Sequence, residues 1–315
     1  MIIYFSGTGN SAMVARRLRQ QLFAADTAAA APAADDAGAD TPETADAARL
    51  YELSADRLLY PHRQMLTARP GEPVVWVFPI YAWAPPYMVL RFIRKVKFLH
   101  GEDARHFMVC TCGDDIGRAD DRWREAIGRR QWTPLGAFSV QMPNTYVAMK
   151  GFDTDPADVA AAKLAAMPAR VAAIATAIRR NYSRSDVVRG SWAWLKTNVA
   201  YPWFRAVKMN PARFTADASR CTRCGLCARS CPMMNITLAT PSSAPAAGVW
   251  GGGFPAAVTK TPKNFVSPAA RKPPLHTPQW GPACTLCLRC YHSCPVHAID
   301  WGAATAAKGQ WRLEV

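Results

Sequence analysis

The sequence predicts an α/β fold, a doubly wound parallel sheet in residues 1–181, followed by a small α+β domain in residues 215–315. Two observations lead to this prediction. Strand-like and helix-like segments alternate through the first part of the chain, as they do when crossover helices connect parallel strands. A motif of four cysteines then occurs twice in the last part of the chain, which indicates a second domain with internal pseudo-twofold symmetry.

The elements of the first domain follow from hydrophobic periodicity. Strands are predicted at residues 1–5, 50–53, 74–78, 107–111 and 135–141, and helices at residues 11–23, 86–96, 119–129 and 157–180. A doubly wound sheet of this size is expected to have the strand order 2-1-3-4-5. Residues 25–48 are almost entirely Ala, Asp, Thr and Pro, so we predict a disordered loop insertion there.

Residues 182–214 are predicted to be a connector, rich in aromatic and basic side chains such as those of Trp194 and Trp203. Two interpretations are open for it, a helix that packs between the domains and a helix that lies on a membrane surface. Interdomain packing is favoured, because the apolar face is short and interrupted. The longest apolar stretch, residues 159–178, contains Lys163 and Arg170, so no transmembrane segment is expected.

Charge and cysteine content narrow the functional classes. The 315 residues carry a formal net charge of +15, and the excess lies mainly after residue 181. No nucleic-acid-binding motif accompanies these cations, so specific nucleic-acid binding is not expected. The N-terminus begins as a strand without a secretion signal, which predicts a cytoplasmic protein. In that reducing compartment, ten cysteines indicate ligands for a metal or cofactor in preference to disulfides.

The duplicated motif reads C-x2-C-x2-C-x3-C-P in both copies. This is the spacing of two-cluster bacterial ferredoxins, in which the fourth cysteine of each motif binds the other [4Fe-4S] cluster. Zinc is the alternative, but zinc sites usually pair two short C-x2-4-C segments. We therefore predict two [4Fe-4S] clusters, one held by Cys221, Cys224, Cys227 and Cys294 and the other by Cys284, Cys287, Cys290 and Cys231. Residues 233–283, between the motifs, are predicted to be a loop insertion.

A hydroxyl-rich loop follows the first strand and opens the first helix. Backbone N–H groups, hydroxyls and the positive end of a helix bind phosphate without any basic side chain. The lysine of a P-loop is absent, and Gly7, Gly9 and Ala12 match the dinucleotide fingerprint G-x-G-x-x-G/A only formally. The loop and the strand count favour the phosphate of flavin mononucleotide (FMN). The predicted phosphate-binding residues are Ser6, Gly7, Thr8, Gly9, Asn10 and Ser11.

Two further segments fall at the carboxyl ends of strands, where ligands of doubly wound sheets bind. Aromatic side chains after the third strand are candidates to flank a flavin ring, although packing within the loop is an equally open interpretation. Backbone amides after the fourth strand are candidates for the edge of the ring. Asn144 and Tyr146 are further candidates for the rim of the pocket. The predicted ring contacts are Tyr81, Trp83, Thr111, Cys112 and Gly113.

With these motifs the chain resembles the family of flavodoxin–ferredoxin fusion proteins, in which a flavodoxin-like domain precedes a dicluster ferredoxin domain. The resemblance rests on residues 5–11, 78–81, 111–113 and 142–144 and on both cysteine motifs. It implies FMN in the first domain and electron transfer between FMN and the clusters, as a redox relay or a reductase component. The alternative is a non-catalytic iron–sulfur sensor or scaffold whose flavodoxin-like domain no longer binds flavin.

Arginines flank both cysteine motifs, among them Arg223, Arg229 and Arg289. These cations either offset the negative charge of the clusters or also steer an acidic redox partner protein toward them. The sequence is compatible with both roles.

Overall fold

The structure is a computed structural model that describes residues 1–28, 50–207, 209–238 and 277–313. Its N-terminal part is built on a sheet of six strands, in which all neighbouring pairs are parallel and the order is β2-β1-β4-β6-β7-β8. Two short strands, β3 and β5, form a separate parallel pair. The eight strands are β1 (Ile2–Tyr4), β2 (Leu50–Glu52), β3 (Met65–Thr67), β4 (Pro73–Pro79), β5 (Lys97–Leu99), β6 (Arg105–Cys112), β7 (Thr133–Gln141) and β8 (Ser185–Asp186).

Helices cover both faces of this sheet. The helices are α1 (Asn10–Ala28), α2 (Ala55–Leu59), α3 (Tyr87–Lys95), α4 (Ala119–Gly128) and α5 (Ala157–Arg179). Helices α1 and α5 pack on one face with Ile2, Val75 and Phe107, whereas α3 and α4 pack on the other face with Ile3 and Trp76. Strands β4 and β6 are apolar on both sides because neither face meets water. The prediction of a mostly parallel sheet with helices is confirmed.

Differences from the sequence prediction lie at the margins of the sheet. The five predicted strands correspond to β1, β2, β4, β6 and β7, and β8 adds an edge strand from residues assigned to the connector. Helix α1 continues to Ala28, with a kink at Phe23, so it includes the first residues of the predicted 25–48 loop. The rest of that loop lies outside the described residues.

Helix α5 is one helix of the described chain that is long and apolar enough to cross a membrane by length and composition alone. It forms a layer of the α/β fold, since Met167, Val171 and Ile174 are buried against the sheet. Lys163 donates a hydrogen bond to the Gly113 carbonyl, and Arg170 donates to the Ser139 carbonyl. Among the described residues, α5 is thus a weak candidate and no clear transmembrane segment emerges.

The connector and the C-terminal domain are mostly short elements. Helices α6 (Ala193–Leu195) and α7 (Tyr201–Val207), with the π-helical turn between them, make one continuous helical run, residues 193–207, called here the connector helix. In the C-terminal domain, β9 (Phe214–Ala216) pairs antiparallel with β12 (Ile299–Trp301), and β10 (Ile236–Leu238) pairs antiparallel with β11 (Pro278–Trp280). Helices α8 (Leu226–Arg229) and α9 (Arg289–His292) lie within the two cysteine motifs.

The predicted insertion at residues 233–283 is shorter than expected at both ends. Residues near both of its ends, Ile236–Leu238 and Pro278–Trp280, form the ladder of β10 and β11, so they belong to the folded domain. Asn235 reinforces this junction, because its side chain donates to the Gly281 carbonyl and accepts from the Ala283 N–H. Residues 239–276 lie outside the described residues.

Candidate iron–sulfur centres and the adjoining cavity

The eight motif cysteines line two small cavities of the C-terminal domain. The two cavities are similar in size, and both are partly open to solvent. The grouping of the thiols is the one that crosswise ligation requires, because the fourth cysteine of each motif joins the three cysteines of the other. Cys221, Cys224, Cys227 and Cys294 line the first cavity, and Cys231, Cys284, Cys287 and Cys290 line the second.

The two motifs wrap their cavities with the same backbone conformation. Three residues in each motif have positive φ, and five of these six are not glycine, which costs about 1 kcal/mol or more for each. The matched N–H groups of Asn235 and Ala298 point to the sulfur atoms of Cys231 and Cys294, at 3.4 and 3.2 Å. The matched residues with positive φ are Arg223 and Leu286, Gly225 and Leu288, and Met234 and His297.

Burial makes the free thiols poor acids. It raises the pKa of Cys227 and of Cys287 to about 11 and that of Cys284 to about 12, and it holds the pKa of Cys290 well above its usual range. The charge of neighbouring thiolates in the same set adds to the rise. Ligation by a cationic group would therefore release protons from these thiols.

The thiols surround a space in each case. Within the described parts of the chain, no three His, Cys, Asp or Glu side chains are gathered as ligands of a single metal ion would be. A four-iron cluster has four corners, each of which takes one thiolate. The arrangement and chemistry of both thiol sets fit such a cluster.

Comparison with known proteins agrees with this geometry. Residues 217–298 match the family model of a 4Fe-4S dicluster domain. The C-terminal domain is ferredoxin-like. Its similarity to dicluster domains indicates [4Fe-4S] clusters and suggests iron–sulfur electron transfer.

Other comparisons add little for the rest of the chain. A Trp repressor binding protein from Bacillus subtilis is similar in structure at 12% identity and a TM-score of 0.29, over 54% of this chain and 97% of that chain. A likeness of that extent supports no functional statement. No curated protein matches the chain.

A larger cavity lies where β1, β4, β6 and β7 end, next to the ferredoxin-like domain. Loops that follow all four strands line it, as expected for the carboxyl edge of a doubly wound sheet. Asn144 and Tyr146, both candidates for the rim, also line it. Nine of the eleven residues predicted to contact FMN are brought together here, namely Ser6, Gly7, Thr8, Asn10, Ser11, Tyr81, Thr111, Cys112 and Gly113.

The described residues that line this cavity have no charged side chain, but they offer polar atoms. The Asn10 Oδ1, Tyr81 Oη and Tyr146 Oη atoms are buried and have no hydrogen-bond partner among the described residues. Burial raises the pKa of both tyrosines, so both phenols remain protonated donors. A buried polar atom without a partner costs about 1–3 kcal/mol. These atoms therefore suit a polar ligand that would satisfy them.

Local hydrogen bonds fix the loop between β1 and α1. The Gly9 N–H donates to Ser6 Oγ at 3.1 Å, and the Asn10 side chain donates to the Pro143 carbonyl at 2.8 Å. Ser11 Oγ and Thr111 Oγ1 are 2.7 Å apart, which joins this loop to the end of β6. Because α1 begins at Asn10, its first N–H groups lie at the cavity and favour an anion there.

Gly9 differs from its neighbours because it does not line the cavity. Its φ of +102° requires glycine, and a Cβ there would lie 2.5 Å from the Leu313 carbonyl oxygen. The Leu313 N–H donates to the Thr8 carbonyl at 3.1 Å. The end of the described chain thus crosses the outside of the predicted phosphate loop, and Gly9 makes room for it.

Trp83 also lies outside this cavity. It occupies a tight turn in which Ala82 and Trp83 have φ of 46° and 64° and Tyr81 bridges to Ala84. Its ring lies 5.5 Å from Lys196 Nζ in a neighbouring cleft, and Lys196 pairs with Asp115. Of the two interpretations that the sequence left open for Trp83, this position matches packing within the loop region.

The ferredoxin-like domain and the connector form the remaining wall of the larger cavity. No sequence motif predicted this wall. Cys287 lines this cavity and also the cavity of its own thiol set. Burial raises the pKa of the Tyr81 phenol, and negative charge on the neighbouring Cys287 thiol raises it further. No local pattern marks these wall residues, which include Tyr201, Phe204, Thr285, Leu286 and Leu288.

Proposed function

We propose that this chain is an electron-transfer iron–sulfur flavoprotein of the flavodoxin–ferredoxin fusion type, which passes electrons between FMN and two [4Fe-4S] clusters. It would act as a redox relay or as a reductase component. The observation that carries the proposal is the double position of Cys287, which lines both the cavity beside the hydroxyl-rich loop and the second thiol cavity. A cofactor in the first cavity would have a cluster ligand in its wall.

The residues present fit FMN in three respects. Hydroxyls of Ser6, Thr8 and Ser11, with the first N–H groups of α1, would hold the phosphate without a cation. The buried oxygens of Asn10 and Tyr146 would bind polar groups of the cofactor. Tyr81 would hold its phenol between the cofactor and Cys287. When bound, FMN exchanges electrons in pairs with a partner or substrate, whereas a cluster exchanges them singly.

The thiol sets would hold the clusters in a dry environment. Cys290 and Cys227 are buried, and Trp301 and Tyr291 pack in the same apolar core. Exclusion of water and N–H groups directed at sulfur are the means by which a protein adjusts cluster potentials. Cys224, by contrast, is exposed. The first cluster would therefore be the nearer of the two to a redox partner in solution.

Cofactor analysis of the anaerobically isolated protein tests the proposal. We expect about eight iron and eight sulfide per chain, and one FMN after incubation with the cofactor. Zinc without sulfide would contradict the assignment of both thiol sets. Iron and sulfide without any retention of FMN would instead favour the sensor or scaffold alternative.

The phosphate loop is tested by Thr8→Ala. A hydroxyl that donates to a phosphate oxygen contributes about 1.5–3 kcal/mol, so the variant should bind FMN about ten-fold or more weakly in a fluorescence titration. Thr133→Ala is the control, because Thr133 is exposed at the opposite end of β7. Equal affinity of the two variants would argue against phosphate binding at this loop.

A further inference from the structure

The connector helix has one face fixed on the α/β domain. Thr197 is buried, where its hydroxyl donates to the Trp83 carbonyl at 2.9 Å and accepts from the Arg118 N–H at 2.8 Å. The Asn198 side chain accepts from Arg122 at 2.9 Å. Phe204 is buried against Tyr146. These contacts determine which side of the helix turns away from the protein.

The outward side carries an apolar stripe. Trp192 is 77% exposed, Leu195 45%, Val199 50% and Trp203 54%. Leu195, Val199 and Trp203 recur every four residues, which places them along one line of a helical run that includes the π-helical turn. Trp192, with a φ of 57°, is the cap residue just before this line. Trp194 and Val207 are exposed beside the line, and Pro202 and Ala206 extend it. The connector helix and its cap residue thus expose three tryptophans, Trp192, Trp194 and Trp203, together with Leu195 and Val199.

Exposure of such an apolar surface to water is unfavourable in free energy. Contiguous exposed apolar surface marks an interaction site far more often than scattered single residues do. Tryptophan is a large apolar side chain with one polar N–H group, which is the combination enriched at the boundary between lipid headgroups and acyl chains. An amphipathic helix with aromatic residues on its apolar side and cations beside it lies in that boundary.

The flank of the stripe is cationic. A groove along α7 is lined by four arginines and one carboxylate, that of Glu125. Glu125 pairs with Arg129 at 2.6 Å and lies 4.0 Å from Arg122, so positive charge remains in excess. The connector helix contains no acidic residue, and the charge of its Lys196 is offset by the ion pair with Asp115 at 2.6 Å. The four arginines are Arg94, Arg122, Arg129 and Arg205.

We propose that this face of the connector helix lies on an anionic lipid surface. Trp192, Trp194 and Trp203 enter the headgroup boundary, with Leu195 and Val199 between them, and the groove arginines attract the lipid phosphates. The exposed tryptophans suit the headgroup boundary, and the cationic flank gives the charge complementarity. The short, interrupted apolar face of this segment favoured interdomain packing over a membrane surface. Both roles hold, because the buried face packs and the exposed face binds lipid.

Cosedimentation with lipid vesicles tests the proposal on the full cluster-loaded chain. We expect binding to vesicles of phosphatidylcholine with phosphatidylglycerol, weaker binding to phosphatidylcholine alone, and release as salt rises. The double variant Trp192→Ser and Trp203→Ser should bind anionic vesicles about ten-fold more weakly. Arg94→Glu with Arg205→Glu should remove the preference for anionic lipid.

The matched control is Met65→Ser with Leu99→Ser. These two side chains are exposed to a similar extent, 66% and 49%, but lie on β3 and β5, away from the stripe. The control should bind vesicles like the unaltered protein, and unchanged iron content verifies folding in every variant. Absence of binding to anionic vesicles, or equal binding by the tryptophan variant, overturns the proposal. Self-association that the tryptophan variant loses, without vesicle binding, would assign the face to a second copy of the chain instead.

Discussion

A Cβ placed on Gly7 would lie 3.5 Å from the carbonyl oxygen of Cys287 and 3.9 Å from its Cβ. The loop after the first strand therefore comes within about one methyl group of a cysteine of the second motif, 280 positions away in the chain. The same Cβ would lie 2.8 Å from the Tyr81 hydroxyl. Gly7 is required here for close approach and not for a positive φ. This close approach places the predicted phosphate loop next to the second thiol set.

Because an added Cβ on Gly7 would clash with the Tyr81 hydroxyl, we expect Gly7→Ala to displace Tyr81 in the cavity wall. An added methyl group at 2.8 Å from the hydroxyl forces the phenol to move, and FMN should bind about ten-fold more weakly as a result. Tyr81→Phe added to Gly7→Ala removes the clashing oxygen and should restore part of the affinity. A fluorescence titration measures both. If Gly7→Ala binds FMN as the unaltered chain does, Gly7 does not have this role.

Crosswise grouping of the thiols predicts that Cys231→Ser loses only the cluster held with the second motif. Cys231 shares its cavity with Cys284, Cys287 and Cys290, so iron should fall from about eight to about four per chain while the other cluster remains. Cys110→Ser is the control, because Cys110 is buried in the sheet away from both thiol cavities. Electron paramagnetic resonance of the reduced protein identifies the surviving cluster. Loss of the cluster at Cys221 instead would contradict the grouping.

Acid should destabilise the N-terminal domain through His106. Nδ1 of this buried histidine accepts from Trp76 Nε1 at 3.0 Å, and Nε2 lies 2.8 Å from the Gly101 carbonyl oxygen, so the ring is neutral. Burial lowers its pKa to about 4. The unfolded chain takes up a proton near pH 6.5, which the folded state resists until near pH 4. The stability that this group contributes is therefore present above about pH 6.5 and is lost as pH falls toward 4.

The measurement is thermal unfolding from about pH 7 to about pH 5, followed by tryptophan fluorescence. The decrease in unfolding free energy from His106 should be on the order of 2 kcal/mol over this range. His106→Asn should flatten the pH dependence, even if it lowers stability at neutral pH. His62→Asn, at an exposed histidine, serves as the control. An unaltered slope in His106→Asn would show that other groups cause the acid effect.

If the arginines near the cysteine motifs steer an acidic redox partner, the rate at which that partner reduces the protein should depend on salt. Arg223 is exposed and lines the first thiol cavity, so it faces any redox partner that approaches that centre. Reduction by an acidic one-electron donor protein should slow as salt rises, because screening acts beyond about 8 Å at physiological ionic strength. Arg223→Glu should slow it further at low salt, whereas Arg17→Glu, exposed on α1, should not. If the rate changes neither with salt nor in Arg223→Glu, Arg223 only offsets the negative charge of the nearby cluster.

Hydrophobic periodicity and motif spacing predicted those features of the protein that depend on residues close together in sequence. The alternation of Ile2 and Ile3 between the two faces of the sheet, the apolar run of β4 and the loop at Thr8 are local properties of strands and turns. The grouping of Cys231 with the second motif was also predictable, because a duplicated spacing fixes how two half-sites complete each other.

What the sequence alone determined, then, is an α/β domain with a polar loop at its carboxyl edge and a ferredoxin-like domain with two thiol sets. Only the tertiary structure decided that Gly7 lies close to Cys287, that Trp83 lies outside the cavity and that Trp192 and Trp203 are both exposed. The physical reason is that these relations depend on how two domains and a connecting helix dock. Docking is set by shape and burial summed over surfaces distant in sequence, and no local pattern of residues records it.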